Sequence, residues 1–208
     1  MTKEFLDKLK KINKDYYTLS DFTKISKQRR EVLRVILCRL VKSGKLIRIQ
    51  RNFYILPEKI SEIEKIANQI YYPSYLSFES ALALWGILSQ IPYNLTFATI
   101  LKSKSLNFEG RKIEYRKLKK ELFFGYIFKN GLYLAEPEKA LLDTFYLASL
   151  GKLKINFKNL DYSKIQKRKF LNWLKKYPLK TKNLIKNIGN HKNHQPKSKR
   201  LYGKILAI

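Results

Sequence analysis

Acidic residues are scarce in this chain: 16 Asp and Glu stand against 44 Lys and Arg, which gives a net charge of +28 at pH 7. Cysteine and histidine are scarcer still, with one and two residues. The single cysteine, Cys38, excludes an intramolecular disulfide and is typical of a reducing compartment, so we expect a cytoplasmic protein. The acids and histidines are also too few and scattered for a carboxylate pair or a set of metal ligands. The sequence therefore predicts no metal, no cofactor, no catalytic residue and no enzymatic activity.

Long apolar runs are lacking as well. The stretch 70–101 has Glu79 as its only charge, but Pro73 and Pro92 interrupt it, so we expect a buried core segment there and no membrane partner. The N-terminus is charged and has no apolar run of the kind that follows in a signal peptide. An excess of positive charge of this size predicts a polyanionic partner, either nucleic acid or an acidic protein.

Residues 18–56 have the pattern of a winged helix-turn-helix. A short helix over 19–25 leads through Ser26 into a longer helix that we expect to begin near Lys27 and to end at Gly44. Residues 46–49 and 53–56 alternate as two strands would, around a tip at 50–52. The apolar residues of the longer helix recur at three- and four-residue spacing and predict one buried stripe: Val32, Leu33, Ile36, Leu37 and Leu40.

The opposite face of that helix and the hairpin are basic, which is what contact with a DNA groove requires. Residues 1–57 carry 15 Lys and Arg against 5 Asp and Glu. We expect base contacts from Gln28, Arg30 and Arg34, because Gln and Arg make the bidentate contacts that distinguish adenine and guanine. We expect phosphate contacts from four further residues: Lys27, Lys45, Arg48 and Arg51. Two other interpretations stay open, namely a protein-interaction module and an ordinary solvated face.

Three regions follow from the composition and periodicity. Residues 1–57 form the predicted DNA-binding domain, residues 58–178 an α+β domain, and residues 179–208 a flexible basic tail that contains no acid, with a helix as the alternative over 184–188. In the second region antiparallel strands are predicted between helices. Its clearest signals are two hairpins, one around Glu109-Gly110 and one around Asn130-Gly131, since Asn-Gly between apolar runs favours a tight turn.

Residues 108–126 alternate basic and apolar side chains beside aromatic ones. The bases are Arg111, Lys112, Arg116, Lys117, Lys119 and Lys120, and the aromatic residues are Tyr115, Phe123, Phe124 and Tyr126. Two interpretations are open: an edge strand kept apart from other chains by its lysines, or a ridge that binds an acidic partner or a nucleic-acid backbone. The second interpretation gives an alternative function, an RNA-binding protein that uses this ridge and the tail. The acids of residues 134–147 (Glu136, Glu138 and Asp143) are interpreted as ordinary partners of a helix dipole.

Four blocks occur in a characteristic order over residues 19–150: "KSGKLIRIQRNFYIL", "YPSYLSFESALALWGI", "TFATILKSKSLNFEGRKIEYRKLKKELFFGY" and "AEPEKALLDTFYL". In these blocks the chain resembles the AbiEi-type antitoxins, the regulator halves of type IV (abortive-infection) toxin-antitoxin pairs. The resemblance implies that the N-terminal domain binds inverted repeats in its own promoter and represses it. It also implies that the C-terminal domain neutralises a cognate nucleotidyltransferase-like toxin without needing a stable complex. The family has no assigned catalytic residues. At the hairpin tip Asn52 takes the place of the family's usual glycine.

Overall fold

A computed structural model describes residues 2–190 of the chain. The fold of this part is α+β, as the sequence predicts, with eight α-helices and nine strands in two sheets.

The N-terminal part packs three helices against a small antiparallel sheet. Its sheet has the strand order β1-β3-β2. Aromatic rings fill its core, where Phe22 packs against Phe5, Tyr17 and Tyr54. The elements are α1 (Thr2–Ile12), β1 (Tyr17–Thr18), α2 (Leu19–Ser26), α3 (Arg30–Lys42), β2 (Ile47–Gln50) and β3 (Phe53–Ile55).

Helix α3 begins three residues later than expected, so its predicted start near Lys27 is wrong. Lys27 has the left-handed backbone conformation (φ 54°) and ends α2. The Ser26 hydroxyl then accepts a hydrogen bond from the Gln28 backbone N–H at 3.2 Å. Lys27 and Gln28 therefore lie in the turn between two helices, because a left-handed residue cannot continue an α-helix.

The predicted stripe of α3 is only partly buried. Leu33, Leu37 and Leu40 are buried and Ile36 is half-buried, but Val32 is exposed. The burial of Val32 was therefore predicted wrongly. It lies about 100° around the helix from Leu33 and about 140° from Leu37, beyond the half-buried Ile36.

The second part of the chain is built on a six-stranded sheet. A 3-10 turn at Pro57–Glu62 leads into its elements. The helices are α4 (Ile63–Ile70), α5 (Phe78–Leu84), α6 (Pro137–Ser149), α7 (Lys167–Leu174) and α8 (Leu179–Asn190). The strands are β4 (Ser74–Leu76), β5 (Leu95–Thr99), β6 (Lys104–Phe108), β7 (Arg111–Lys117), β8 (Tyr126–Lys129) and β9 (Leu132–Ala135).

The strand order is β6-β7-β5-β4-β9-β8. Both predicted hairpins are confirmed, since β6 pairs with β7 and β8 pairs with β9 in antiparallel register. The sheet also contains parallel pairs that the sequence did not predict, because β5 pairs with β7 and β4 with β9 in parallel. Strands β5 and β4 connect the two hairpins at the centre of the sheet, and β4 is an element that the sequence did not predict.

The predicted flexible tail is ordered at its start. Residues Leu179–Asn190 form α8, and this helix packs against α6. Thr181 and Ile185 are fully buried, and the Thr181 hydroxyl lies 3.0 Å from the Ser149 hydroxyl. The expectation of flexibility is therefore wrong for residues 179–190, because an apolar helix face outweighs the basic composition. Residues 191–208 of the predicted tail lie outside the described part.

The hairpin β2–β3 belongs to two cores. Leu46 and Leu56 at its ends pack in the N-terminal core, whereas Ile49 and Ile55 pack in the core of the six-stranded sheet. The Lys104 amino group on β6 also donates a hydrogen bond to the Gln50 side chain at 2.6 Å. The hairpin is thus held from both sides.

In the part of the chain that the structure describes, no helix is both long enough and apolar enough to span a membrane.

Candidate nucleic-acid interface

The seven side chains predicted to contact DNA are all exposed. They come from three adjacent elements in sequence: the turn before α3, α3 itself, and the hairpin. Lys27 and Gln28 lie in the turn, Arg30 and Arg34 on α3, Lys45 just before β2, Arg48 on β2, and Arg51 in the hairpin turn. Within residues 2–190 none of them forms an ion pair, so the charges of the six Lys and Arg side chains are available to an external anion.

Four further exposed bases flank these residues: Lys24, Arg29, Arg39 and Lys42. Sequence reasoning missed Arg39 because it took Val32 as part of the buried stripe. Once the stripe is reduced to Leu33, Leu37 and Leu40, Arg39 falls on the outer side of α3. The spacing of the three leucines was the signal that could have found it.

The outer face of α3 is less basic at its centre than predicted. At about 100° per residue, the positions opposite the leucine stripe are Glu31, Val35 and Lys42. Arg34 lies on the flank, although it is exposed. Val35 is 51% exposed and the Cys38 thiol is exposed beside it. The face that points away from the core therefore combines an acid, an apolar side chain and a base.

The hairpin turn carries its positive charge at an ordered tip. Asn52 has a φ of 68°, a conformation that asparagine tolerates better than most residues. The register shifts between Arg48 and Gln50, which is a bulge in the hairpin. The Arg48 guanidinium donates to the Gln50 carbonyl at 3.4 Å. Arg51 stands at the tip with no ion-pair partner among residues 2–190.

A capping box fixes the start of α2 and hence the approach to the basic turn. The Thr18 hydroxyl accepts from the Asp21 backbone N–H at 3.2 Å, and the Asp21 carboxylate accepts from the Thr18 backbone N–H at 2.8 Å. Lys14 donates to the same carboxylate at 2.7 Å. Partial burial opposes ionisation of Asp21, but these hydrogen bonds outweigh it and lower its pKa to about 2.

The predicted basic ridge is not a free surface along its whole length. Arg116 is bound by two acids, Glu79 at 2.6 Å and Glu114 at 2.9 Å, and its guanidinium lies over the Phe78 ring. The other five bases (Arg111, Lys112, Lys117, Lys119 and Lys120) are exposed or half-buried. Strand β7 is also not an edge strand, since β6 and β5 flank it. Both interpretations of this segment therefore need correction.

The aromatic side chains of the ridge pack inward. Tyr115 is 1% exposed, and its hydroxyl donates to the Ala67 carbonyl at 2.7 Å. Phe123 and Tyr126 pack against Tyr75, and Phe124 packs against Trp173. Rings in these positions complete the core of the second part, so they do not offer a stacking platform for bases.

A buried polar cluster joins β4, α6 and the segment before α8, and sequence reasoning missed it. The Asp143 carboxylate accepts hydrogen bonds from Lys139, Tyr177, Tyr75 and Ser77, the last two at 2.9 Å. The Lys139 amino group also donates to the Tyr177 hydroxyl at 2.8 Å and lies over the ring of Phe124. Asp143 was interpreted as a partner of the helix dipole, and this is wrong because it lies in the interior.

Burial controls the protonation of this cluster. Desolvation raises the pKa of the Tyr75 and Tyr177 hydroxyls well above the usual value, and the Asp143 carboxylate adds to the effect. Desolvation also lowers the pKa of Lys139, although Asp143 opposes that shift. Both carboxylate oxygens are already occupied by donors, so the cluster holds three parts of the fold together and leaves no oxygen free for a ligand.

The described residues contain no group of three His, Cys, Asp or Glu side chains that could hold a metal ion. The two histidines, His191 and His194, lie outside them.

No family model and no curated protein matches the chain. Among solved structures, its fold is similar to the crystal structure of RV2827C protein from Mycobacterium tuberculosis, with a TM-score of 0.63 and 11% sequence identity. The likeness covers 97% of this chain and 79% of that one. At this identity it shows a common fold and nothing about function.

Proposed function

We propose that the chain is a sequence-specific DNA-binding autorepressor and that it serves as the antitoxin of a type IV toxin-antitoxin operon. One observation carries the DNA-binding part: a helix, a turn, a second helix and a hairpin in succession present seven exposed predicted contacts, and none of these is in an ion pair within residues 2–190. A polyanion is the partner that this arrangement fits.

The N-terminal part is proposed to work as a winged helix-turn-helix. Helix α3 enters the major groove, and the hairpin reaches the adjacent backbone. Arg30, Arg34 and Gln28 contact base edges, whereas Lys27, Lys45, Arg48 and Arg51 hold phosphates. Gln28 lies in the turn before α3, and we propose that it contacts a base edge beside the N-terminus of that helix.

The antitoxin part rests on the resemblance of the four sequence blocks to AbiEi-type antitoxins. The operator is then a set of inverted repeats in the chain's own promoter. The partner is a nucleotidyltransferase-like toxin that is neutralised in the cytoplasm without a stable complex. This part is tested by expressing the neighbouring open reading frame alone and together with the chain. Growth arrest that the chain relieves supports the proposal, and a harmless or unrelated neighbour contradicts it.

Fluorescence anisotropy of the full chain on DNA from just upstream of its gene tests sequence-specific DNA binding directly. A scrambled duplex and an RNA of the same length are measured beside it across a salt series. We expect the upstream duplex to be bound at least ~10³-fold more tightly than the scrambled one at physiological salt. Equal and steeply salt-dependent binding to all three would contradict sequence reading, and a preference for the RNA would favour the RNA-binding alternative.

Two kinds of variant separate base contacts from phosphate contacts. Arg34→Ala should cost about 1–3 kcal/mol on the upstream duplex and little on the scrambled one. Lys45→Ala and Arg51→Ala should weaken binding to both duplexes alike and reduce the salt slope by about one unit each. Lys152→Ala, which removes an exposed base from the second part of the chain, is the matched control.

A further inference from the structure

Two valines stand on the outside of α3 among charged side chains. Val32 is 43% exposed and Val35 is 51% exposed, so both lie outside the core. Valine is a poor helix former compared with lysine, glutamate or alanine, because its branched side chain loses rotamer freedom in a helix. Neither helix propensity nor burial therefore accounts for valine at these two positions.

The valines share one face of the helix with bases. Val32, Val35 and Arg39 follow each other at spacings of three and four residues, which places them in one row along the helix. Glu31 precedes Val35 by one turn and Lys42 follows Arg39 by one turn, whereas Arg34 lies about 100° around the helix from Val35. The two valines therefore share this face with two exposed cations, Arg39 and Lys42, that would contact an anionic backbone.

Charge complementarity selects the occupant of this face. Two valines are a small apolar area, and the cationic side chains beside them exclude a cationic partner. Duplex DNA fits both the cationic side chains and the valines. Its phosphates attract the Lys and Arg side chains, and its major groove contains one apolar group on the edges of the nucleobases. That group is the C5 methyl of thymine.

We propose that Val32 and Val35 contact thymine methyl groups in the major groove, so that the chain selects a site with thymines beneath the middle of α3. The proposal rests on the proposed DNA-binding function and adds which bases the helix reads. Arginine and glutamine contacts would fix purines by hydrogen bonds, whereas the valines would distinguish thymine from cytosine by its methyl group.

The test replaces thymine by uracil, which has the same hydrogen-bonding edge and lacks the methyl group. The upstream duplex is amplified with either thymidine or deoxyuridine triphosphate, and the Kd of the full chain is measured on both. We expect the wild-type chain to bind the uracil duplex more weakly, by about fourfold for each methyl group that it contacts. Val32→Ala and Val35→Ala should each reduce this ratio, and the double variant should bring it close to one.

Leu84→Ala is the matched control, since Leu84 is 56% exposed on α5 in the second part of the chain. It should retain the wild-type ratio. Thermal unfolding of each variant confirms that the fold is intact, which we expect because all three side chains are exposed.

Two results would overturn the inference without contradicting sequence-specific DNA binding. One is specific binding of the upstream duplex with equal Kd for thymine and uracil. The other is a uracil effect that persists in the double valine variant, which would place the methyl contact on other residues. Failure of the wild-type chain to prefer the upstream duplex over a scrambled one overturns the proposed function, and the inference falls with it.

Discussion

Lys139 and Asp143 form an ion pair one turn apart on α6, and neither side chain is exposed to solvent. Three hydroxyl groups, those of Tyr75, Ser77 and Tyr177, complete the hydrogen bonding of the carboxylate. The pair thus ties the central strand β4 to α6 and to the segment before α8. Its chemistry is that of a structural cluster, in which removing one charge leaves the other buried without a partner.

Breaking this pair should therefore destabilise the whole second part of the chain. Asp143→Ala should lower the free energy of unfolding by about 3–5 kcal/mol, as measured by urea denaturation. The double replacement Lys139→Met with Asp143→Leu should recover part of the loss, because it leaves no buried charge, although the hydroxyls of Tyr75, Ser77 and Tyr177 still lack their acceptor. Lys8→Ala, which breaks an exposed pair on α1, should leave the unfolding midpoint unchanged. Additive losses in the double variant would contradict this interpretation.

The stability of the N-terminal part should fall in acid through Asp21. Its pKa is about 2 in the folded chain, below the ordinary value of 3.8. Ionised Asp21 therefore contributes its full stabilisation of the fold when the pH is above 3.8. The contribution is lost as the pH falls from 3.8 towards 2, and it amounts to about 1–2 kcal/mol. Urea unfolding of the wild type and Asp21→Asn at a series of pH values measures it. The difference between the two should shrink as the pH falls through this window, and a constant difference would contradict the assignment.

The hairpin tip should tolerate glycine but not valine at position 52. Asn52 has a left-handed backbone that glycine adopts freely and that a β-branched residue adopts only with strain. Asn52→Gly should keep the unfolding free energy within about 0.5 kcal/mol, whereas Asn52→Val should lower it by about 1–3 kcal/mol. Anisotropy on the upstream duplex should show weaker binding for the valine variant only. Equal stability of the two variants would mean that the turn adopts another conformation.

Glu31 on the outer face of α3 should increase the preference for the upstream duplex while it lowers the affinity for DNA of any sequence. It forms no ion pair within residues 2–190, and a carboxylate can accept a hydrogen bond from the cytosine amino group. Glu31→Gln should tighten binding to a scrambled duplex and reduce the preference for the upstream duplex by about tenfold. Glu58→Gln, which removes an exposed acid outside α3, should change neither. An equal gain on both duplexes would place Glu31 over the phosphate backbone instead.

The elements that the sequence predicted well are those whose signals are local. The Asn130-Gly131 pair and the Glu109-Gly110 pair each mark a hairpin, because tight turns need residues that tolerate positive φ. The leucine stripe of α3 is also a local signal, because it recurs at three- and four-residue spacing within one helix. Strand β4 could not be found in this way, since its three residues are all buried and show no alternation. Its place at the centre of the sheet follows only from partners that are distant in sequence.

In the candidate site, too, local features could be predicted from the sequence, whereas contacts between distant residues could not. Exposure of the seven predicted DNA contacts could be inferred from helix periodicity and charge, whereas the start of α3 depended on the left-handed conformation of Lys27. The Lys139–Asp143 pair had a local signal, an acid and a base four residues apart in an otherwise apolar helix. Its three hydroxyl partners come from positions 75, 77 and 177, so the cluster itself could be recognised only in the folded chain.

The hairpin that carries Arg48 and Arg51 has its outer residues in one core and Ile49 and Ile55 in the other. A fragment cut after residue 57 would therefore uncover two isoleucines and would tend to aggregate before it could be assayed for DNA binding. Packing in both cores also fixes the hairpin relative to both sheets. Contacts with the six-stranded sheet, including the Lys104–Gln50 hydrogen bond, therefore set the position of the tip that is proposed to contact DNA.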